Sequence, residues 1–294
     1  MRQACLPNYD ERHEECRFMN TTDLTLPPRE AKPRMSGLTI VLDGGLPLGY
    51  FCDIIESMGD LVDLVKFGWG TSLVTQHLDQ KIACLRHNHI GYFFGGTLFE
   101  KYLSQHQIDR YKDLCRRHHC PYVEISNGTL PLANAEKARL IADFAREFHV
   151  LSEVGYKDSE RSLHLSPTNW VDCIRHDLAA GAQYVVTEAR ESGTSGICAP
   201  NGEVRADVVD EILEAGIDLR RLIFEAPNKH LQTYFIRRVG ANVNLANIAY
   251  QDIIPLETLR LGLRSDTFFT AEAGQNIPSF DLSLADEHRP STGV

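Results

Sequence analysis

Charged and amide side chains suited to handling anions and cations recur along this chain of 294 residues, each in or near the end of a short apolar run. Asp43, Lys66, Glu124, Glu153, Glu188 and Glu225 occupy such ends, Asn244 and Asn247 lie in the last run, and Lys157, Arg190, Glu191 and Lys229 follow just beyond others. Lysine and arginine hold phosphate or carboxylate oxygens, whereas several carboxylates brought together repel one another unless a hard cation such as Mg²⁺ joins them. The combination suits a small phosphorylated acid bound with Mg²⁺. Gly95 and Gly96, followed by Thr97, add a candidate phosphate cradle of backbone N–H groups at a helix start, although a glycine pair after a strand also makes an ordinary tight turn.

These residues act together only if the fold gathers the run ends in one place. The runs are GLTIVLD (37–43), VDLVKFG (62–68), IGYFFGG (90–96), PYVEIS (121–126), HVLSEVG (149–155), YVVTEA (184–189), RLIFEAP (221–227) and VNLANI (243–248). Continuous apolar stretches of this length, bounded by Gly and Pro, suit parallel strands covered on both faces. Amphipathic stretches such as 133–147 and 205–216 lie between them. Eight repeats of strand then helix predict a single α/β domain, a (β/α)₈ TIM barrel over residues 35–270. In that architecture the strand ends and the loops after them form one mouth. A barrel built for stability alone has little reason to aim so many charges at its axis, since each must be paired or desolvated.

The remaining features bound the function class. With 43% apolar residues the chain can fill one barrel core, and a formal charge of −10 argues against nucleic acid or an anionic membrane as partner. No run is long enough to span a bilayer, and none follows a basic signal region. The eight cysteines (Cys5, Cys16, Cys52, Cys84, Cys115, Cys120, Cys173 and Cys198) show no repeated close spacing, so a reducing cytoplasm is the expected compartment. Cys115, His118, His119 and Cys120 lack a second ligand pair and sit away from the expected mouth, so buried thiols and surface imidazoles are the preferred reading over zinc. Residues 1–34 and 271–294, polar and rich in Pro, Ser and Gly, are expected to be flexible extensions, or arms closing over a neighbouring subunit. No pattern encodes an oligomeric state; a homo-oligomer formed through the helical shell is compatible with the barrel.

Seven blocks carry a resemblance: VKFGWGT (65–71), GGTLFE (95–100), EIS (124–126), EVG (153–155) with Lys157, EARESG (188–193), FEAP (224–227) with Lys229, and NLANI (244–248), joined near the end by LETLRLGLR (256–264). Through them, and in a stretch running in order from about residue 37 to 268 over every expected strand, the chain closely resembles the phosphosulfolactate synthase family. The resemblance implies a (β/α)₈ barrel that adds sulfite to phosphoenolpyruvate with Mg²⁺, a carbon–sulfur lyase acting on the way to coenzyme M. It also implies that Lys157 matches the family's proton donor. An ammonium pressed among other cations has a lowered pKa and releases its proton readily, which would suit that role. With it, Lys66, Arg190 and Lys229 are expected to hold anions, and Glu153, Glu188, Glu225 and, more weakly, Asp43 to meet Mg²⁺. Gly95, Gly96, Thr97, Ser126, Asn127, Asn244, Asn247 and His230 complete the expected substrate site. Trp69 is expected to pack a loop beside it, and Trp170 to be structural.

The chain departs from the family at defined points. Gly44 stands where relatives carry lysine, Asn127 where they carry aspartate, and His230 and Leu231 replace two polar residues after Lys229. The first two changes cancel in charge, as expected if those residues were partners. They bear on sulfite more than on the enolpyruvate site, and His230 is either a replacement donor or a solvated, capping histidine. Two alternatives therefore stand beside the synthase: a barrel enzyme that adds another nucleophile to phosphoenolpyruvate or a similar acid, and a catalytically silent scaffold. The retained lysines and carboxylates disfavour the scaffold.

Overall fold

In a computed structural model of the chain, residues 24–190 and 192–269 are described. Each of the eight apolar runs forms a strand: β1 Thr39–Asp43, β2 Leu64–Phe67, β3 Gly91–Phe94, β4 Tyr122–Ile125, β5 His149–Val154, β6 Tyr184–Thr187, β7 Leu222–Glu225 and β8 Leu245–Ile248. They form one parallel sheet in the order β3-β2-β1-β8-β7-β6-β5-β4, which curls until β3 lies beside β4. Ladder hydrogen bonds are missing at that seam among the described residues. A side chain bridges it instead, since Glu124 at the end of β4 accepts the N–H of Gly96 just past β3.

Between the strands run α1 Leu48–Met58, α2 Leu78–His87, α3 Gly96–Ser104, α4 Ile108–Arg117, α5 Asn134–Phe144, α6 Ser159–Leu163, α7 Pro167–Ala179, α8 Ala206–Glu214, α9 Lys229–Val239 and α10 Ile253–Arg260. The stretches 133–147 and 205–216 thus contain α5 and α8, whose buried sets (Ile141 and Phe144; Val208, Val209 and Ile212) follow the helical period. Sequence-local caps start several helices. Asp158 accepts from Arg161 N at 2.8 Å, Ser166 from Asn169 N with Pro167 opening α7, and Asn228 from Leu231 N at 3.0 Å.

Two apolar clusters result. A large one fills the space between sheet and helices, and a small one, including Leu64, Tyr122, Leu151, Val186 and Ile223, fills the barrel interior. Because side chains alternate along a strand, the residues two positions on share the interior face. Those residues are Lys66, Glu124, Glu153, Glu188 and Glu225. The barrel axis therefore changes from apolar to charged at the C-terminal ends of the strands.

Residues 24–34, which lie within the expected flexible extension, instead strap the opposite end. Arg29 pairs with Glu257 at 2.8 Å and donates to Gly37 O, Arg34 pairs with Asp63 at 2.8 Å, and the Lys32 ammonium reaches the Gly59 and Val62 carbonyls. Basic residues spaced along a polar segment find carbonyls and carboxylates that strand starts leave exposed. Residues 1–23 and the expected tail 271–294 lie outside the described residues. Among the described residues, no helix is long and apolar enough to cross a membrane.

Candidate active site

Two ammonium groups organise the charged end of the barrel. Lys66 Nζ lies 3.0 Å from Glu124 Oε1, 3.3 Å from Glu225 Oε1 and 3.8 Å from Glu153 Oε2. Lys157 Nζ, on the loop after β5, lies 3.3 Å from Glu153 Oε1, 3.6 Å from Glu100 Oε1 and 3.9 Å from Glu188 Oε2, and donates to Thr97 Oγ1 at 3.2 Å. Glu153 joins the two groups. All five carboxylates are buried, whereas the Lys157 side chain is 24% exposed, so this ammonium faces the mouth. Five carboxylates against two ammoniums leave three formal negative charges.

Burial and pairing divide those carboxyls. Burial raises the pKa of Glu153, but Lys157 and Lys66 overcome it and hold the group at about 2. Burial, then Glu225 and Glu153, push Glu188 well above the usual carboxylate range. Glu124 is also pushed up, chiefly by burial. Burial pulls both lysines down, and their carboxylates more than reverse it, so each ends above the ordinary lysine value. The expectation that Lys157 sits among cations with a lowered pKa is therefore corrected: carboxylates surround it, and its ammonium is strongly held.

Several expected site residues are engaged elsewhere. Asp43 is fully buried against Lys81 of α2 at 2.6 Å and accepts from the amides of Gly45 and Leu46, so it closes the β1 turn instead of meeting a metal. Both Glu225 oxygens are taken, by Lys66 and by Ala189 N at 3.0 Å. The Gly95 and Gly96 amides are not free for phosphate, because they donate to Phe67 O and Glu124; the positive end of α3 serves a carboxylate of the ring. Gly95 has a steric use, as a Cβ there would come within 3.3 Å of Lys66 Cε. Asn244 lies at the other end of the barrel, accepting from Leu38 N and donating to Arg220 O and Leu222 O. Asn127 turns to Leu132 O and borders a cavity of about 10 Å³ shared with Lys137 and Asp177 behind β5.

Others stay near the mouth. Arg190, in a left-handed backbone conformation, donates to Lys157 O at 3.2 Å, and its N–H donates to Glu188 Oε1 at 2.7 Å. Asn247, also left-handed at the register shift between β8 and β1, keeps a buried Oδ1 without a partner. Lys229 pairs with Asp266 at 2.6 Å on an exposed surface, His230 beside it is exposed, and Leu231 is buried in α9. Glu191 lies outside the described residues. Trp69 is half exposed over Gly44, whose Cβ position is 3.3 Å from the indole; Trp170 is fully buried. Gly44 borders a rim groove of about 320 Å³ with Thr71 and His77. It follows β1, whereas Asn127 follows β4, three strands away around the barrel.

Glu100 was not among the expected site residues. Its signal was present: a lone carboxylate one turn into α3, on the face that also buries Leu98 and Phe99. Around the ring, Glu124 Oε1, Glu153 Oε1 and Glu188 Oε2 are buried without an aligned hydrogen bond. The last two converge on Lys157. No group of three or more His, Cys, Asp or Glu residues arranged to hold a metal ion occurs among the described residues. Glu153 Oε1 and Glu188 Oε2 thus leave hydrogen-bonding capacity beside the Lys157 ammonium.

The family model described as (2R)-phospho-3-sulfolactate synthase (ComA) matches residues 27–266, a span that encloses both ammoniums and all five carboxylates. The chain is 56% identical to a phosphosulfolactate synthase of Bacillus subtilis (strain 168) over 251 residues, covering 85% of this chain and 100% of that protein. It is 42% identical to a phosphosulfolactate synthase of Methanothermobacter thermautotrophicus over 253 residues, covering 85% and 98%. A solved 3-hexulose-6-phosphate synthase from Salmonella typhimurium shares the fold, with a TM-score of 0.50 and 12% identity over 76% of this chain and 99% of that one. With the ring of charge lying wholly inside the matched span, the chain belongs to the (2R)-phospho-3-sulfolactate synthase family.

Proposed function

We propose that this protein joins sulfite to phosphoenolpyruvate, giving (2R)-phospho-3-sulfolactate, as a Mg²⁺-dependent carbon–sulfur lyase of the cytoplasm. The observation that carries the reading is the Lys157 ammonium, partly open to the mouth and braced by Glu153, Glu188 and Glu100. Sulfite sulfur attacks the methylene carbon of phosphoenolpyruvate, the double-bond electrons move onto the carboxylate as an aci-acid, and a proton is then delivered to the neighbouring carbon. Lys157 donates that proton. Its raised pKa keeps the ammonium loaded at neutral pH, and the aci-acid carbon is basic enough to take a proton from it. Thr97 holds the ammonium's direction, and Arg190 fixes the backbone of residue 157.

Glu153 and Glu188 would hold Mg²⁺, which commonly takes one or two protein carboxylates and completes its shell with water and substrate oxygens. The bound ion would supply charge stabilisation for the developing dianion. A negative ring has to be countered before two anionic substrates can approach, which is the electrostatic reason for a divalent cation here. A second reading, the same addition with another nucleophile, rests on Gly44, which stands under Trp69 and supplies no cation. Turnover in D₂O followed by mass spectrometry tests the proposal: a product carrying one carbon-bound deuterium that needs both sulfite and Mg²⁺ and is lost in Lys157→Ala. A product formed with other nucleophiles but not with sulfite would replace it by the second reading.

A further inference from the structure

Glu100 gathers more donors than any single contact with Lys157 requires. It is buried in α3, its Oε1 accepts from the Ser126 hydroxyl, and its Oε2 accepts from the amides of Thr129 at 2.8 Å and Leu130 at 2.7 Å. The Lys157 ammonium lies 3.6 Å from Oε1. The loop so anchored returns a contact, because Gly128 O accepts the N–H of Lys157 at 3.1 Å. One carboxylate therefore fixes both ends of Lys157, the side chain directly and the backbone through residues 126–130. A buried carboxylate is desolvated at considerable cost unless each lone pair finds a donor, and here the donors come from two different loops.

We propose that Glu100 is a positioning residue for the addition reaction, holding the loop after β4 and the loop after β5 in one arrangement so that the Lys157 ammonium meets the reacting carbon. The inference rests on the reading of Lys157 as proton donor. Glu100→Gln keeps the volume and can keep the two amide bonds, but it turns an N–H group towards either Ser126 and Lys157 or the amides. Glu100→Asp keeps the charge one methylene shorter.

Hydrogen exchange by mass spectrometry and steady-state kinetics on the full chain separate the outcomes. In Glu100→Gln, exchange is expected to rise in peptides covering 126–130 and 157 while the rest of the barrel keeps wild-type protection. Turnover is expected to fall about 100-fold with the Michaelis constant for phosphoenolpyruvate changed only a few fold, the scale that misplacement of a catalytic group by about 1 Å produces. Glu100→Asp is expected to recover at least tenfold of the loss. Unchanged exchange in both segments overturns the inference, as does an equal loss in both variants that tracks the melting temperature, which marks a purely structural role. Should the wild type fail to add sulfite, the exchange arm still reads the clamp, and it is the reaction that is refuted.

Discussion

At the residue scale, Glu153 and Glu188 share one lysine yet are driven in opposite directions. Glu153, held at about 2, stabilises the fold at pH values above its ordinary carboxylate pKa, and that contribution is lost as the pH falls through about 2. Glu188, pushed up by burial and by Glu225 and Glu153, is favoured in its protonated form, so its ionisation costs stability as the pH rises beyond the ordinary value. At neutral pH, Glu188→Gln is therefore expected to raise the melting temperature by about 2–3 °C, because the amide donates to Glu153 without a second charge. Glu153→Gln is expected to destabilise by about 3 kcal/mol, leaving two ammoniums short of a partner. Differential scanning calorimetry of both variants checks this, and shifts of the same sign would contradict it. These residues were legible as strand-end carboxylates, and period-two alternation explains why. Their division of labour was not, since it depends on which oxygen faces Lys66 and which faces Lys157. Asp43 and Asn244 misled for the same reason: a polar residue in a strand shows its type, but its partner, Lys81 or the Leu38 amide, comes from a distant segment.

At the scale of elements, the loop between β6 and α8 shapes the site by folding back on its own strand. Ile197 N donates to Glu188 O at 2.7 Å, and Gly196, at φ +70°, packs so close that a Cβ would lie 1.8 Å from that oxygen. Only glycine fits both the left-handed backbone and the contact. Gly196→Ala is expected to displace the end of β6, costing at least about 2 kcal/mol of stability and weakening phosphoenolpyruvate binding; urea unfolding and calorimetric titration read the two effects. Wild-type behaviour in both would mean that the loop has no hold on Glu188. The strands and their helices were readable from apolar runs and amphipathic spacing because those patterns are local. The reach of Gly96 to Glu124 across the seam was not, because the amides after β3 look the same in sequence whether they meet a phosphate or a carboxylate.

For the whole molecule, eight alternating units sufficed to predict a barrel, since closure follows from repeating one strand-and-helix step. The strap at 24–34 is not legible in the sequence because its order comes from carbonyls and carboxylates supplied by other segments of the chain, not from any periodicity of its own. Closure also concentrates charge: a chain of net −10 gathers five carboxylates at one mouth and must still admit anions there. The most direct test of the account is phosphorus NMR of the protein with Mg²⁺, phosphoenolpyruvate and sulfite. The account predicts a new alkyl-phosphate resonance that needs sulfite and disappears in Lys157→Ala. Phosphoenolpyruvate that binds yet stays unchanged in the presence of sulfite and Mg²⁺ would contradict it.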